Sequence, residues 1–443
     1  MVLDALRLPD FRFLLIGDLV SGLGSSLLVV ALPYRVFQLT GSPTATGLAL
    51  AAEALPALLA GPVAGVFVDR WDRRRVLIAA NLARGVVLAG FLLADRPDRV
   101  GWVYATLFAE SVGTMFFRPA ARALRPAVLG TGPALAGGNA LLGVTGGVVQ
   151  LAGPPVGVLV LIGFGLPGLV FADMASYLVA AGAVALIGRR PATMRADRTV
   201  AAVLVELRDG LRVITGRPVL RWLLPLCVAY FTANGVFTAL LIPYMTTRFG
   251  DHPHAIGWQL SALGAGFLVG APLGGRLVRD RPARWPLSGG LAGVGVCYAV
   301  LANAPAIPVA IVATGLAGLP GSVLLVTVET AIQRGSPPEP LGRVGAAFYA
   351  ADAAADVAGA LLGAGFAGSA RLPTVLTAGA AVILVSAAVA PLAVRDPTDR
   401  HIDRWHCSVR GILAGEAGKP GSESPGQRAD VDRRWKSPEG PGI

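Results

Sequence analysis

The sequence predicts an all-α integral membrane protein with about twelve membrane-spanning helices. Three observations lead to this prediction: long apolar runs, few charged residues, and arginines that fall in short clusters between the runs. Hydrophobic residues make up 54% of the chain and charged residues 15%, against roughly 25% charged in an ordinary soluble domain. The mean hydropathy is +0.63. A water-soluble core of this size would need far more polar covering.

A helix needs roughly 20 apolar residues to cross the hydrocarbon core of a bilayer. The first run of this length follows a charged N-terminus and has no small-residue cleavage site, so we expect a spanning helix there and not a cleaved signal. The predicted spans, in chain order, are residues 13–34, 45–68, 75–94, 101–122, 137–162, 166–187, 221–243, 256–278, 286–303, 307–331, 344–368 and 373–393.

The arginines predict the direction of the chain through the membrane, because cytoplasmic loops carry an excess of Arg and Lys. If the N-terminus is cytoplasmic, most arginines fall in the N-terminal segment and the inner loops. The outward connections then hold the smaller set Arg35, Arg96, Arg99, Arg248 and Arg371. We therefore expect a multi-pass protein of the cell inner (plasma) membrane with both termini in the cytoplasm.

The longest connection, residues 188–220, is charged and divides the chain into an N-terminal half, 1–187, and a C-terminal half, 221–394. We expect about six spans in each half. Within the connection, apolar residues recur at helical spacing between Val203 and Ile214, which predicts an amphipathic helix on the inner leaflet; a solvated linker is the alternative. Residues 395–443 lose the apolar runs, and we expect a disordered cytoplasmic tail.

The clearest motif lies between the second and third predicted spans and reads Gly65-Val-Phe-Val-Asp69-Arg70-Trp71-Asp72-Arg73-Arg74-Arg75. An isolated charge in hydrocarbon costs at least roughly 2.5–3.5 kcal/mol, so this charged segment must lie in water. It is similar to the signature loop of the major facilitator superfamily, Gly-x-x-x-Asp-(Arg/Lys)-x-Gly-(Arg/Lys)-(Arg/Lys). Asp72 stands where the second glycine would be.

The residues that match this signature are Gly65, Asp69, Arg70, Arg73 and Arg74. The resemblance implies that Asp69 caps or pairs with neighbouring helix ends on the inner side. It also implies that the three arginines bridge to acids or helix C-termini in the outward-facing state. The alternative is that these charges serve only to set the topology.

Further segments resemble the multidrug, macrolide and siderophore exporters of that superfamily: residues 116–126, 171–178 and 341–344. The fifth predicted span contains Gly153-Pro154-Pro155-Val156-Gly157, similar to the Gly-Pro-x-x-Gly-Gly signature of antiporters, with Val158 in place of the last glycine. A kinked helix packed through small residues is the alternative. The resemblance implies two six-helix halves in the major facilitator fold and export by alternating access.

Several carboxylates fall inside predicted spans, where each must face the protein interior or a water-filled cavity. Asp18, Glu53 and Glu110 are candidates for proton coupling, with a structural hydrogen bond as the alternative for each. Asp173 belongs to an exporter-like segment and is equally a candidate packing determinant. Glu329, near the inner end of the tenth span, is a candidate gate residue.

Two further acids and one base complete the set of charges inside the spans. Asp352 and Asp356 are four residues apart and share one face of the eleventh span, which predicts either a site for a cationic substrate or a water-lined face. Arg84 lies deep in the third span, and we expect it to pair with one of the acids.

Other classes of protein find little support in the sequence. It has no GxxxxGK[ST] nucleotide loop and no HExxH motif, and its histidines, His252, His254, His401 and His406, lie in a short loop and the tail. The cysteines Cys227, Cys297 and Cys407 have no disulfide or zinc spacing. Basic inner loops account for the net charge of +11, so we expect no nucleic-acid partner. Because these motifs and ligand spacings are missing, we also expect no metal, cofactor or enzymatic activity.

The expected function is secondary active transport. We predict a monomeric, proton-coupled exporter of small lipophilic compounds, such as drugs or macrolide-like or siderophore-like metabolites, since hydrophobic cavities suit such substrates. The sequence leaves three alternatives open: an importer, a uniporter, and a sensor or scaffold that does not transport.

Overall fold

The structure, a computed structural model, describes residues 5–130, 133–188, 200–250, 252–336, 341–368 and 370–394. The predicted tail lies outside these residues, and so do residues 189–199 of the predicted connection between the halves. Every regular element in the described part of the chain is helical. The helices are α1 (Pro9–Thr40), α2 (Pro43–Arg70), α3 (Arg73–Val87), α4 (Gly101–Leu129), α5 (Pro133–Ala185), α6 (Val200–Gly216), α7 (Pro218–Phe249), α8 (Pro253–Asp280), α9 (Arg284–Ala302), α10 (Ile307–Gly335), α11 (Leu341–Phe366) and α12 (Leu372–Ala393).

Two short 3-10 helices complete this set, Leu88–Leu93 as the continuation of α3 and Pro97–Arg99 before α4. Ten helical stretches in the described part of the chain are long and apolar enough to cross a membrane. The long helix α5 counts as one of these ten. Helix α2 is not among them and contributes the shorter apolar stretch Pro43–Leu59. The prediction of an all-α membrane protein is confirmed.

Helix α5 contains both the fifth and the sixth predicted spans. Its 53 residues would make a straight helix of about 80 Å, far longer than the roughly 30 Å hydrocarbon core of a bilayer. The chain instead turns at Gly165, whose φ of 69° lies in the left-handed region that favours glycine. We refer to residues 133–164 as the first segment of α5 and to residues 166–185 as the second.

Helix α1 shows that the two segments run in opposite directions. Along α1, Gly22 faces Val149 and Gly153 faces Ser26, so the first segment runs parallel to α1. Gly17 faces Ala180 and Gly24 faces Asp173, so the second segment runs antiparallel to it. The turn at Gly165 therefore reverses the chain, as expected of two consecutive spans.

Capping residues set the ends of several helices. Ser42 begins α2 by accepting a hydrogen bond from the backbone N–H of Ala45 at 3.2 Å, and Pro43 follows in the first turn, where no N–H is needed. Gly41 ends α1 with a φ of 61°, in the left-handed conformation typical of a residue after a helix C-terminus. The connection between α1 and α2 is therefore short and tightly defined.

The helices pack in two sets. Helix α1 packs on α5, α2 on α4, and α3 on α4 and α5; in the rest of the chain α8 packs on α10, α7 on α11 and α12, and α9 on α10 and α12. Contacts between the sets are made mainly by α2 with α11 and by α5 with α8. Small residues also permit close packing within a set, since a Cβ on Gly266 of α8 would overlap the backbone of α10 at Gly315.

The predicted amphipathic helix in the central connection is present as α6. Ile214 is buried on one face, while Arg208 and Arg212 are exposed on another. Helix α6 packs mainly against the start of α11: a Cβ on Gly210 would overlap the carbonyl of Arg343, and Asp209 lies 3.5 Å from the Arg343 guanidinium. This helix links the central connection to the second set of helices.

Candidate transport site

The loop between α2 and α3 is organised by Asp72, the residue that replaces the second glycine of the signature. Its carboxylate accepts a hydrogen bond from the backbone N–H of Arg75 at 3.1 Å and so caps the N-terminus of α3. A carboxylate at a helix N-terminus also interacts favourably with the helix dipole. The substitution therefore supplies a helix cap where the signature has a flexible residue.

The signature arginines contact backbone carbonyls of neighbouring helices. Arg74 donates from Nε to the carbonyl of Val184 at 3.2 Å and from Nη2 to that of Ala185, at the C-terminus of α5. Arg73 donates to the carbonyl of Ala123 on α4 at 3.4 Å. A cation at a helix C-terminus satisfies carbonyls that have no partner within the helix. These contacts hold together α3, α4 and α5 near the signature loop.

The remaining signature residues lie in α2. Arg70 is the last residue of this helix and its side chain is exposed. For Gly65 and Asp69 the structure describes the helical backbone, and the Asp69 side chain lies outside the described part. The expectation that Asp69 caps or pairs with a neighbouring helix end therefore stays a prediction.

Deep within the first set of helices, Arg84 of α3 pairs with Glu110 of α4. Arg84 Nε donates to Glu110 Oε1 at 2.7 Å, and the two side chains are 7% and 16% exposed. Arg84 lies about 16 Å along α3 from Arg73, near the middle of a hydrocarbon core roughly 30 Å thick. The expected pairing of Arg84 with an acid is confirmed, and the acid is a proton-coupling candidate.

Tyr177, in the second segment of α5, joins this ion pair to two more helices. Its hydroxyl donates to Glu110 Oε1 at 2.9 Å, accepts from Arg84 Nη2, and lies 2.8 Å from the Ser25 hydroxyl on α1. Its ring also stacks beneath the guanidinium, with Arg84 Cζ 4.1 Å from the ring centroid. Thr114 adds a hydrogen bond to the same Glu110 oxygen at 3.0 Å.

Asp173 lies one turn before Tyr177 and is 1% exposed. Ser176 Oγ lies 2.9 Å from its Oδ1, whereas its Oδ2 is buried with no hydrogen-bond partner among the described residues. The charges of Arg84 and Glu110 act on it. Asp173 thus belongs to the same polar cluster, which we call the Arg84 cluster: Ser25, Arg84, Glu110, Thr114, Asp173, Ser176 and Tyr177.

The other two coupling candidates lie outside these hydrogen bonds. Glu53 on α2 is exposed, and it interacts electrostatically with Glu110 and Arg118 of α4. Asp18 on α1 is half-buried and feels the charge of Arg125.

In the second set of helices, Asp356 is held by a hydrogen-bond chain. Asn234 of α7 donates to Asp356 Oδ1 at 3.1 Å and accepts from the Tyr298 hydroxyl of α9 at 3.0 Å. Asp352 lies one turn earlier, and its Oδ1 is buried with no partner among the described residues. The two acids share a polar face of α11, as the spacing predicts.

Glu329 lies on an exposed part of α10 and accepts a hydrogen bond from Gln333, four residues later, at 2.9 Å. This contact is local to one helix. A gate role for Glu329 stays a prediction.

The antiporter-like motif lies where α5 packs on α1. A Cβ on Gly153 would overlap the Ser26 side chain, and one on Gly157 would overlap the Leu27 backbone, so both glycines are needed for this close approach. On its other side, Pro154 and Pro155 lie against Gly257 of α8. The motif therefore sits at one of the two main places where the sets of helices meet.

A cavity of about 450 Å³ opens next to this motif, between the first segment of α5 and helices α8 and α10. Its lining is mainly apolar, and Gln150 and Ser322 supply polar groups. The apolar part of the lining is formed by Phe267, Leu268, Ala271, Pro272, Leu325 and Val326. Its size falls in the range of small-molecule sites.

The two sets of helices touch at the end opposite the signature loop. Near the start of α2, Thr44 donates to the carbonyl of Ala364 on α11 at 2.9 Å, and a Cβ on Gly47 would overlap the Ala364 side chain. Near the start of α8, Ser261 donates to the carbonyl of Leu151 on α5 at 2.9 Å. These contacts close the molecule at that end.

Sequence reasoning missed four members of the Arg84 cluster: Ser25, Thr114, Ser176 and Tyr177. Tyr177 lies in the exporter-like segment 171–178. Its spacing of four residues from Asp173 indicates that both side chains share a helix face. Ser25 carries no comparable signal in the sequence. Among the described residues no group of three or more His, Cys, Asp or Glu side chains is placed to hold a metal ion.

Two curated relatives are similar to this chain in sequence. One is "Multidrug efflux pump Tap" of Mycobacterium tuberculosis (strain ATCC 25618 / H37Rv), 28% identical over 413 residues, or 90% of this chain and 95% of that protein. Macrolide efflux protein A of Streptococcus pyogenes is 36% identical over 114 residues, 25% of this chain and 28% of that protein.

Solved structures with the same fold include a bacterial homologue of the human lysosomal transporter Spinster in an inward-facing, unoccupied conformation. It superposes with a TM-score of 0.69 at 14% identity, covering 87% of this chain and 96% of that one. A bacterial homologue of the iron transporter ferroportin gives 0.68 at 15% identity, covering 87% and 97%. Residues 14–250 and 226–405 match the profile of the Major Facilitator Superfamily. The chain is a membrane transporter, not an enzyme, and it belongs to the major facilitator superfamily.

Proposed function

We propose that this transporter is a proton-coupled exporter of small lipophilic compounds that works by alternating access. The observation that carries the proposal is the buried ion pair of Arg84 and Glu110, surrounded by further carboxylates near the middle of the membrane. Charges are costly there and mark ion pathways and proton relays by default. The coupling candidates are Glu110, within the pair, and Glu53 and Asp18, outside it.

The cavity between α5, α8 and α10 supports the proposed substrate class. An apolar lining with a few polar groups suits a lipophilic molecule that needs one or two hydrogen bonds for orientation. The named relatives are multidrug and macrolide efflux proteins, which favours export over import. The antiporter-like motif, Gly153, Pro154 and Gly157, lies next to this cavity, where α5 packs on α8.

The conformation suits the cytoplasmic entry of a substrate. If the signature loop lies in the cytoplasm, as its arginines predict, then the contacts of Thr44 and Ser261 close the outer end and the structure faces inward. The signature residues Gly65, Asp69, Arg70, Arg73 and Arg74 would form the inner gate of the opposite state. Arg74 is already docked on the C-terminus of α5 and moves with that helix.

This proposal extends to the organisation of the whole protein. We assign the first set of helices to an N-terminal half, 1–187, and the second to a C-terminal half, 221–394, which rock against each other about a central site. Residues 188–220 connect them in the cytoplasm. The protein acts as a monomer in the plasma membrane, with both termini inside.

Transport into everted membrane vesicles tests the function. Vesicles that contain the full chain and have an acid interior should accumulate radiolabelled erythromycin, a macrolide, or the lipophilic dye ethidium, and a protonophore should abolish the accumulation. Equilibration of these compounds without accumulation would indicate a uniporter, and gradient-driven uptake only into right-side-out vesicles would indicate an importer. No flux of either compound in any arrangement would favour a sensor or scaffold.

A matched pair of variants tests the role of the cavity. Ala271→Trp places a large ring in the cavity lining and should reduce erythromycin uptake at least severalfold. Val269→Trp makes a similar change on the same helix at a residue that is 67% exposed and does not line the cavity. It should transport as the unaltered protein does, and equal losses in both variants would remove the cavity from the proposal.

A further inference from the structure

We infer that Asp173 holds a proton in this conformation and that the pairing of Arg84 with Glu110 depends on that proton. The inference rests on the proposed proton coupling and deepens it by naming a carboxylate outside the three coupling candidates. The hydrogen bonds and the charges around Asp173 distinguish it from an ordinary packing residue.

The charges around Asp173 are already balanced. One cation, Arg84, and one anion, Glu110, act on Asp173 among the described residues. The guanidinium already donates to Glu110 at 2.7 Å and to Tyr177, so its charge is compensated. An ionised Asp173 would add a second negative charge to a site that is 1% exposed. A buried carboxylate without its own counter-ion becomes neutral by taking up a proton.

The hydrogen bonds around Ser176 point to the same state. Ser176 Oγ lies 2.7 Å from the backbone carbonyl oxygen of Asp173 and 2.9 Å from its Oδ1, but a hydroxyl has a single hydrogen to donate. If Asp173 is protonated on Oδ1, that O–H donates to Ser176 Oγ, and the serine hydrogen serves the carbonyl. Both contacts are then satisfied, and the unpartnered Oδ2 is a neutral carbonyl oxygen rather than half of a carboxylate.

Every helix packed around Asp173 contributes to its surroundings. Helix α1 brings Ser25, which bonds Tyr177, and Gly24, whose missing side chain leaves room for the carboxyl group. Helix α3 brings Arg84 and α4 brings Glu110. Among these described groups only Arg84 offers a positive charge, and two acids would compete for it when Asp173 loses its proton.

Access to water gives this competition a direction. Asp173 is sealed in the present conformation, whereas Glu110 is 16% exposed and interacts electrostatically with Glu53. When α1 and α5 move apart and Asp173 releases its proton, the guanidinium is drawn from Glu110 toward Asp173. Glu110 is then free to take a proton or to meet a substrate. The proton at Asp173 thereby controls the charge state of Glu110.

Infrared difference spectroscopy tests the protonation without any substrate. The full chain in lipid vesicles at neutral pH should show the carbonyl stretch of a protonated carboxyl group that Asp173→Asn removes. Ser176→Ala should shift this band, because it deletes the hydrogen-bond acceptor, and it guards against a folding defect of Asp173→Asn. A difference spectrum with only carboxylate bands, and no response to Ser176→Ala, would overturn the inference.

Transport then separates this inference from the proposed function. In acid-interior everted vesicles, Asp173→Asn should abolish gradient-driven accumulation of erythromycin or ethidium while retaining equilibrating counterflow. If the variant accumulates these compounds as the unaltered protein does, Asp173 is not the proton site although the function stands. If the unaltered protein shows no gradient-driven uptake, the proposed function fails, whatever the infrared spectra show.

Discussion

The carboxylate of Asp72 accepts a hydrogen bond from the backbone N–H of Arg75 at 3.1 Å and thereby begins α3. Arg73 and Arg74 follow directly in the first helical turn, where their side chains reach the carbonyls of Ala123 and of the C-terminus of α5. The cap thus fixes the direction from which both arginines leave the helix. Asp72, which departs from the signature, thus supports Arg73 and Arg74, which match it.

Replacing Asp72 should therefore cost stability in proportion to the lost cap. Asp72→Ala should lower the free energy of unfolding by about 1 kcal/mol, while Asp72→Gly, which restores the signature residue, should cost only a few tenths of a kcal/mol. Thermal stability of the purified protein in detergent measures both. Asp72→Asn retains a capping oxygen and serves as the control. Equal losses in the alanine and glycine variants would contradict the capping role.

The ion pair of Arg84 and Glu110 predicts a strong energetic coupling. Removal of one partner from a buried pair costs about 3–5 kcal/mol in protein cores, because the other charge is left uncompensated. Arg84→Gln and Glu110→Gln should therefore each destabilise the protein, and the double variant should lose much less than the sum of the two.

A double-mutant cycle on thermal stability measures this coupling, with Arg118→Gln as the control for a change of charge on the exposed part of α4. Strict additivity of the two single variants would show that the pair contributes no mutual stabilisation.

The positions of the spans were predictable because each depends on a local property, the length of an apolar run. The turn at Gly165 also falls between the predicted spans 137–162 and 166–187, although the two helices form one continuous element. The partner of Arg84 was not predictable in the same way. Glu110 lies 26 residues away in the sequence, and their contact depends on how α3 and α4 are rotated about their axes.

Rotation is hard to read from this sequence because most spans are apolar on all faces. A helix exposed to lipid on one side and packed on the other lacks the polar stripe that orients a helix in a soluble protein. Asp173 and Tyr177 could therefore be recognised as parts of one exporter-like segment, but their link to Arg84 could not be predicted. The replacement of glycine by Asp72 was visible too, but its capping role required the backbone geometry at Arg75.

The contact between α2 and α11 predicts a shift of conformation when it is crowded. A side chain on Gly47 would meet Ala364, so Gly47→Val should destabilise the closed end and favour the state in which that end is open. Spin labels on the exposed residues Asp98 and Asn303 should then move apart in electron paramagnetic resonance distance measurements.

Gly365→Val is the matched control for this shift. Gly365 lies on α11 next to Ala364, but no described atom lies within 4 Å of the place where its Cβ would be. The label distance should stay unchanged in that variant. A distance in Gly47→Val that equals the distance in the unaltered protein would show that this contact does not hold the end closed.

The glycines of α1 give the sharpest test of packing around Asp173. A Cβ on Gly24 would overlap Ser176 Oγ and Asp173 Oδ1, whereas one on Gly22 would meet the methyl groups of Val149 at 3.6 and 3.7 Å, an ordinary contact. Both Gly→Ala changes gain about 1 kcal/mol of helix propensity, so their difference isolates the effect of crowding. Overpacking costs about 1–3 kcal/mol, and Gly24→Ala should be less stable than Gly22→Ala by roughly that amount.

Thermal unfolding of the two variants measures this difference, and vesicle transport shows its consequence. Crowding at Gly24 pushes the carboxyl group of Asp173 away from Ser176 and so removes the hydrogen bond that accommodates its proton. Gly24→Ala should therefore also lose gradient-driven accumulation of erythromycin or ethidium, while Gly22→Ala keeps it. A stable Gly24→Ala protein with unaltered transport would mean that α1 can move away from Asp173 at no cost, which the close approach of the two helices argues against.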